Sequence, residues 1–330
     1  MKNKIVPPRR HAFHALAAVS ALIFATAAPA QTLFVSVRGD NSITQITPNG
    51  TSGTKSTFAM LDYPYGVAFD TSGNLYAANY NYGTISKVTP GGVVSGFATG
   101  VTNGIGLAFD SNGNLYAANH SLAGTMWKIT PAAVVSTFAS SGMSYPYGVA
   151  IDSSNNVYAA NWADTPHTNT TVSKITPGGA VSDYLTGLTA PEGLAFDGSN
   201  NLYVSNYYAG TISKRTPQGV VSEFASGLSG PLGLAFDPVT GSLFVANTDG
   251  GTISAITSLG VVSQFASGLD RPLFIAVGTS AIPEPSTSAL LVGLGTLGFV
   301  GWRRRHRKIG ADFRSRAGAR GEMILIRLAG

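Results

Sequence analysis

The chain has 330 residues, no cysteine and a formal net charge of +5. The missing cysteine excludes disulfides, Cys-ligated zinc and thiol catalysis, and 40 glycines with only 11% charged residues favour turn-rich β structure over helices. The charge is unevenly placed: residues 31–282 carry 8 Lys and Arg against 13 Asp and Glu, a net of −5. The basic balance therefore belongs to the two ends, and the body is not a nucleic-acid binder.

Residues 1–30 read as a secretory signal peptide. A basic stretch from Lys2 to Arg10 precedes an apolar run, Ala15 to Ala28, and Ala28-Pro29-Ala30 supplies the small residues of a cleavage site. Signal peptidase is expected to cut there, so that the mature chain begins at Gln31.

From residue 31 to about 280 the chain is a repeat array. Tyr65-Gly66-Val67-Ala68-Phe69-Asp70 recurs at Ile105–Asp110, Tyr147–Asp152, Glu192–Asp197 and Leu232–Asp237. Each copy is followed by a turn, a strand such as Leu75–Asn79, a second strand such as Gly83–Pro90, and a third such as Val93–Ala98. Four short strands per repeat, separated by Gly, Asn and Pro turns, are the pattern of a propeller blade. Leu33–Val37, Ser42–Thr47 and Lys55–Ala59 are the last three strands of a blade, and Pro272–Val277 is a first strand without successors. Together they make a sixth, composite blade that closes the ring and leaves no free edge. The expected fold is an all-β, six-bladed β-propeller of four-stranded antiparallel blades. The repeats resemble those of NHL-repeat and gluconolactonase-type propellers over residues 32–278, a fold that hosts many functions.

First strands line the channel of a propeller, and the loops entering first strands share one face with those leaving second strands. Eight of the 13 tyrosines fall there: Tyr63, Tyr65, Tyr80, Tyr82, Tyr145, Tyr147, Tyr207 and Tyr208. With His120 and Trp162 they make a candidate ligand face, since Tyr and Trp offer flat apolar area with a polar tip suited to sugar rings or extended peptides. Tyr65, Tyr80, His120, Tyr147, Trp162, Glu192 and Tyr207 are the candidate contacts. The alternative is that these rings only cover strand ends.

Asn79, Asn119, Asn161, Asn206 and Asn247 close the second strands. They either offer neutral oxygens to a ligand or Ca²⁺, or end strands through local hydrogen bonds; recurrence in every intact repeat favours the latter. Asp70, Asp110, Asp152, Asp197 and Asp237 precede turns but lack the alternating acids of a calcium loop, and read as turn formers. Glu192 differs, standing where other repeats have Tyr65, Ile105, Tyr147, Leu232 and Leu273. In gluconolactonase-type enzymes a Glu near the start of a first strand helps hold a divalent metal over the channel. The resemblance therefore offers Glu192, with Asn161 or Asn206, as part of a calcium site, with Asp249 and Asp164 as candidate further carboxylates. No serine elbow, paired-carboxylate motif or histidine pair points to catalysis. The insertion from Ala163 to Thr170, which carries His167, has no role readable from its residues.

The C-terminal region has its own order: Pro283-Glu284-Pro285, an apolar segment from Ala289 to Trp302, and the cluster Arg303, Arg304, Arg305, His306, Arg307, Lys308. The apolar segment is shorter than the roughly 20 residues of a full span, and the cationic cluster is expected to stay cytoplasmic. Over residues 281–308 this arrangement resembles the PEP-CTERM sorting signal of Gram-negative bacteria. The resemblance implies transient inner-membrane association through 288–302, processing by an exosortase, and delivery to the envelope, cell surface or exopolysaccharide matrix. The basic tail from 309 to 330 departs from the pattern, which ends soon after the arginines. The combined expectation is an exported, non-catalytic binding or scaffold module for polysaccharide or protein. The alternative is a metal-dependent lactonase or lyase centred on Glu192.

Overall fold

A computed structural model describes residues 31–162 and 170–278. The signal peptide, the insertion 163–169 with Asp164 and His167, and the sorting region with Pro283, Glu284, Pro285 and its arginines lie outside the described residues. The described residues form six four-stranded sheets, each ordered as antiparallel neighbours.

Blade I is composite, in the order Pro272–Gly278, Thr32–Val37, Ser42–Asn49, Ser52–Met60. Blade II runs Pro64–Phe69, Leu75–Asn79, Thr84–Val88, Val94–Thr99. Blades III to VI repeat that pattern, with inner strands Gly104–Phe109, Pro146–Ile151, Pro191–Phe196 and Pro231–Phe236. The expected closure is observed: Thr32 pairs with Gly278, Leu33 with Val277 and Val35 with Ile275. One boundary differs. The outer hairpin of blade I is longer than expected, because Asn49 and Ser52 pair across a tight turn with Gly50 at φ 67°. Blades II to V use Thr-Pro turns, in which, for example, Thr89 N–H bonds to the Val93 carbonyl, and blade VI makes the same bond from Thr257, which Ser258 follows.

Alternation explains the packing. In each second strand both faces meet a neighbouring blade, so Leu75, Ala77, Leu115 and Ala117 are fully buried. Leu33, Val35, Val37 and Ile46 of blade I pack on Phe244, Ala246, Ile253 and Phe265 of blade VI. At about 1.5–3 kcal/mol for each large apolar side chain removed from water, these seams hold the ring. The repeated lysines have a structural use: Lys87, Lys128, Lys174 and Lys214 lie 5.5, 5.7, 5.8 and 5.1 Å from the second-strand rings of Tyr76, Tyr116, Tyr158 and Tyr203.

The inner strands approach backbone to backbone around the axis. A Cβ on Gly148 would fall 2.0 Å from the Glu192 carbonyl oxygen, and one on Gly193 1.9 Å from that of Leu232. Blade I carries Phe274 at the same strand position. Its ring stacks on Tyr147 at 5.9 Å and 17°, and it joins Tyr65, Ile105, Leu232 and Leu273 in one buried cluster. The channel is therefore blocked beneath its mouth, which makes that mouth a bowl.

The two faces differ chemically. On one, Asp70 Oδ1 accepts from the N–H groups of Ser72 and Asn74, and its Oδ2 from Asn74 Nδ2 and the Tyr76 hydroxyl. Asp110, Asp152 and Asp197 repeat this set, for example Asp152 with Asn156 and Tyr158. These carboxylates are thus consumed as turn formers, as their spacing indicates. The other face holds the bowl.

Candidate ligand-binding bowl

One hydrogen bond, repeated six times, builds the rim. The residue before each inner strand has positive φ: Tyr63 (55°), Asn103 (51°), Tyr145 (46°), Ala190 (50°), Gly230 (61°) and Arg271 (57°). The carbonyls of these residues accept, in the same order, from the N–H groups of Tyr80, His120, Trp162, Tyr207, Thr248 and Arg38. The residue after each second strand is thereby held over the start of an inner strand. Bulky side chains rarely adopt this backbone conformation, so Tyr63, Tyr145 and Arg271 are held on the rim at some conformational cost.

Two aromatic groups result. Tyr65 lies 6.2 Å from Tyr63 and 5.0 Å from Tyr80. His120 lies 5.2 Å from Tyr145, 5.3 Å from Tyr147 and 5.9 Å from Trp162. Burial lowers the His120 pKa, and its Nδ1 has no hydrogen-bond partner among the described residues. It therefore serves as a neutral ring among rings.

The bowl has an acidic and a basic side. On the acidic side, Glu192 is only 6% exposed, and its Oε2 is buried without a hydrogen-bond partner among the described residues. Burial, with the nearby Asp249 charge second, pushes its carboxyl up to about 8. Asp249 Oδ1 accepts from the Tyr207 hydroxyl at 2.7 Å, and burial together with that bond raises the Tyr207 phenol. Burial followed by the Glu192 charge raises Tyr147 well above its ordinary value. On the basic side, the Arg38 guanidinium donates to the Tyr63 hydroxyl and lies 4.7 and 5.8 Å from the rings of Tyr63 and Tyr65. Two clefts adjoin the rim and share Asp270 and Arg271. One, of about 370 Å³, includes Thr248 and Asp249; the other, of about 430 Å³, includes Arg38, Asn41 and Tyr63.

Of the sequence-selected residues, the structure brings Tyr65, Tyr80, His120, Tyr147, Trp162, Glu192 and Tyr207 to this bowl. Arg38 and Thr248, on the same rim, were not among them. Their signal was obscured, because Arg38 follows Val37 where intact repeats have Asn, and Thr248 is not aromatic.

Asn161 and Asn206 have a different use. Asn161 Nδ2 donates to Thr171 and Ser173, and Asn206 Nδ2 to Thr211 and Ser213. Asn79 and Asn247 do the same with Thr84 and Ser86, and with Thr252 and Ser254. The repeated Asn and the repeated Thr-x-Ser thus form one device, tying the second strand to the third. Asn206 Oδ1 also accepts from Thr189 N–H at 3.5 Å. Among the described residues, no group of three or more His, Asp and Glu side chains is arranged to hold a metal ion. The candidate calcium ligands Asn161 and Asn206 thus spend their Nδ2 groups on the neighbouring strand, and the Asn161 Oδ1 has no hydrogen-bond partner among the described residues.

Comparison with known proteins agrees with this architecture. Residues 281–305 match the PEP-CTERM protein-sorting motif. The motif indicates an exported protein sorted to the cell envelope by an exosortase. No curated protein matches the chain. Among solved structures, the chain is similar to one in a nidogen/laminin complex, with 15% identity, 76% of this chain and 99% of that chain covered, and a TM-score of 0.67. It is also similar to virginiamycin B lyase from Staphylococcus aureus, with 14% identity, 76% and 89% coverage and a TM-score of 0.57. A protein assigned to the gluconolactonase family aligns with 14% identity, 66% and 85% coverage and a TM-score of 0.55. At such identities the likeness shows the fold: a six-bladed propeller with neighbours of the NHL and gluconolactonase kind. No helix among the described residues is long and apolar enough to cross a membrane.

Proposed function

We propose that the propeller is a non-catalytic binding module of the envelope, surface or extracellular matrix, and that the bowl takes its ligand, with polysaccharide favoured. The observation that carries this is the placement of the bowl relative to the chain ends. Thr32 and Gly278 pair at the end of blade I remote from the bowl, so both ends leave from the opposite face. A sorting motif matched from residue 281 follows Gly278 almost directly, which keeps the aromatic face clear of whatever holds the C-terminus. A flat ring at Tyr80, Tyr147 or Trp162 suits the apolar face of a sugar, and polar tips around it suit the hydroxyls.

The test is a glycan-binding screen of residues 31–278 and of a variant with Tyr65, Tyr147 and Trp162 replaced by Ala. The expected result is binding by the first and at least a tenfold loss in the second. Unchanged binding in the variant would remove the bowl from the function.

One observation favours a second reading, a metal-dependent lactonase or lyase. A carboxyl held near pKa 8 is a proton donor at neutral pH. Turnover of a lactone that requires added calcium and disappears in Glu192→Gln would support that reading over the first.

A further inference from the structure

The face opposite the bowl carries an opening of its own, where blade I meets blade II. Blades II to V cover the seam to the next blade with a repeated trio. In blade II the Tyr76 hydroxyl donates to Asp70 of the turn, and Lys87 of the third strand lies 5.5 Å from the same ring. Tyr116, Tyr158 and Tyr203 repeat this with Asp110, Asp152 and Asp197, and with Lys128, Lys174 and Lys214. Blade VI pairs Phe244 with Ala255 at these positions but keeps Asp237 and its turn. Blade I lacks all three members. Phe34 has no hydroxyl, Gln45 pairs with it where the lysine stands elsewhere, and the inner strand reaches Gly278 in place of the aspartate.

The result is a cleft of about 570 Å³ whose lining includes Phe34, Gln45, Thr47, Phe58, Phe69 and Gly278. Phe34 meets Phe58 edge-on at 4.7 Å and Phe69 at 5.1 Å, so the cleft has an aromatic floor. Asp70 borders it too, but both of its oxygens are taken by donors of its own turn. Gly278 keeps the rings clear, because a Cβ there would fall 2.7 Å from Phe34 Cε2 and 3.2 Å from Phe69 Cζ.

The chain itself supplies an occupant. Gly278 stands in the wall of the cleft, and Thr279, Ser280, Ala281, Ile282 and Pro283 follow it. Ile282 comes four residues later, a reach of about 14 Å at most for an extended chain. Segments that carry proline suit aromatic-lined grooves, since a prolyl ring offers apolar contact at little conformational cost. The tether decides between occupants. A short linker holds its segment at an effective concentration on the order of millimolar, which a second copy or a free apolar molecule does not reach in dilute solution. We infer that this cleft seats the chain's own residues 279–285, with Ile282 and Pro283 against the three phenylalanine rings. The sorting tripeptide Pro283-Glu284-Pro285 is then held on the propeller, and a processing enzyme has to draw it off before acting there.

The test uses disulfide trapping, which is clean because the chain has no cysteine. Residues 31–330, in detergent, carry Ile282→Cys with Thr47→Cys, an exposed position lining the cleft. The control pairs Ile282→Cys with Thr216→Cys, the same turn position in blade V. Each protein is first shown to unfold cooperatively. Under mild oxidation the Thr47 pair should close within one chain about tenfold faster than the control. Adding Gln45→Lys returns the lysine of the other blades to the cleft and should slow closure to the control rate. A readout without cysteine is the Phe58 ring resonance, which should move when Ile282 and Pro283 are both replaced by Ser. Equal closure of the two pairs would overturn the inference, as would closure that ignores Gln45→Lys or a Phe58 resonance that stays in place. Disulfides formed only between chains would overturn it in favour of a second copy as the occupant.

Discussion

Thr32 and Gly278 are paired neighbours although they stand at opposite ends of the propeller's sequence. Blade I therefore has its inner strand from one end of the propeller and its other three from the opposite end. That blade cannot be completed until both have arrived, which makes ring closure a long-range event. Truncation after Gly278 is expected to leave the melting temperature within a few degrees of the longer chain. Truncation after Asp270 removes the inner strand of blade I and exposes the edge of Thr32–Val37. It should abolish a single cooperative transition and promote self-association, measurable by calorimetry and light scattering.

A second expectation concerns the inner ring. Gly193 faces the Leu232 carbonyl so closely that a methyl group cannot be placed without moving a strand. Gly193→Ala should destabilise by about 1–3 kcal/mol, as overpacking in a rigid core does, with the loss read from denaturant midpoints. Gly96→Ala is the control, because a Cβ there meets nothing within 4 Å.

The fold was legible because most blades write the same local grammar. Pro or Gly opens the inner strand, Gly permits the close approach, Asp and Asn close the turn, and Asn with Thr-x-Ser ties strands two and three. The bowl was only half legible. Glu192 stood out as a departure from the repeat, and Tyr65 and Tyr147 as aromatics on one face, but Arg38 sits in the composite blade, where the repeat is broken. Phe274 in the place of glycine is visible when the repeats are laid side by side, yet its meaning as a plug depends on stacking with Tyr147 across the axis. The partnerless state of Glu192 depends on what lies beside it in space, which spacing along the chain does not encode.

Acid should weaken the repeat turns together. Burial of Asp70, Asp110, Asp152 and Asp197 raises each carboxyl, but hydrogen bonds from the turn outweigh it and hold all four below the usual carboxylate value. A depressed folded pKa stabilises above the unfolded value near 3.9 and is lost as pH falls through the folded one. Stability should therefore fall steeply below about pH 4. Asp152→Asn should lower the melting temperature at pH 7 and flatten this acid limb, checked by thermal melts from pH 2 to 7.

Glu192 carries the opposite sign. Its folded pKa, pushed up to about 8 by burial and then by Asp249, lies above the unfolded value near 4.3. The protonated form favours the folded state, so its contribution is complete below about pH 4 and is lost as pH rises towards 8. The cost should approach about 4 kcal/mol near pH 7, taking about 1.4 kcal/mol for each pH unit between the unfolded pKa and the working pH. Glu192→Gln has nothing to ionise, so the melting-temperature difference between variant and native protein should be small at pH 4 and widen in the variant's favour up to pH 8. A difference that stays flat across that range would mean that Glu192 meets water or a cation in solution.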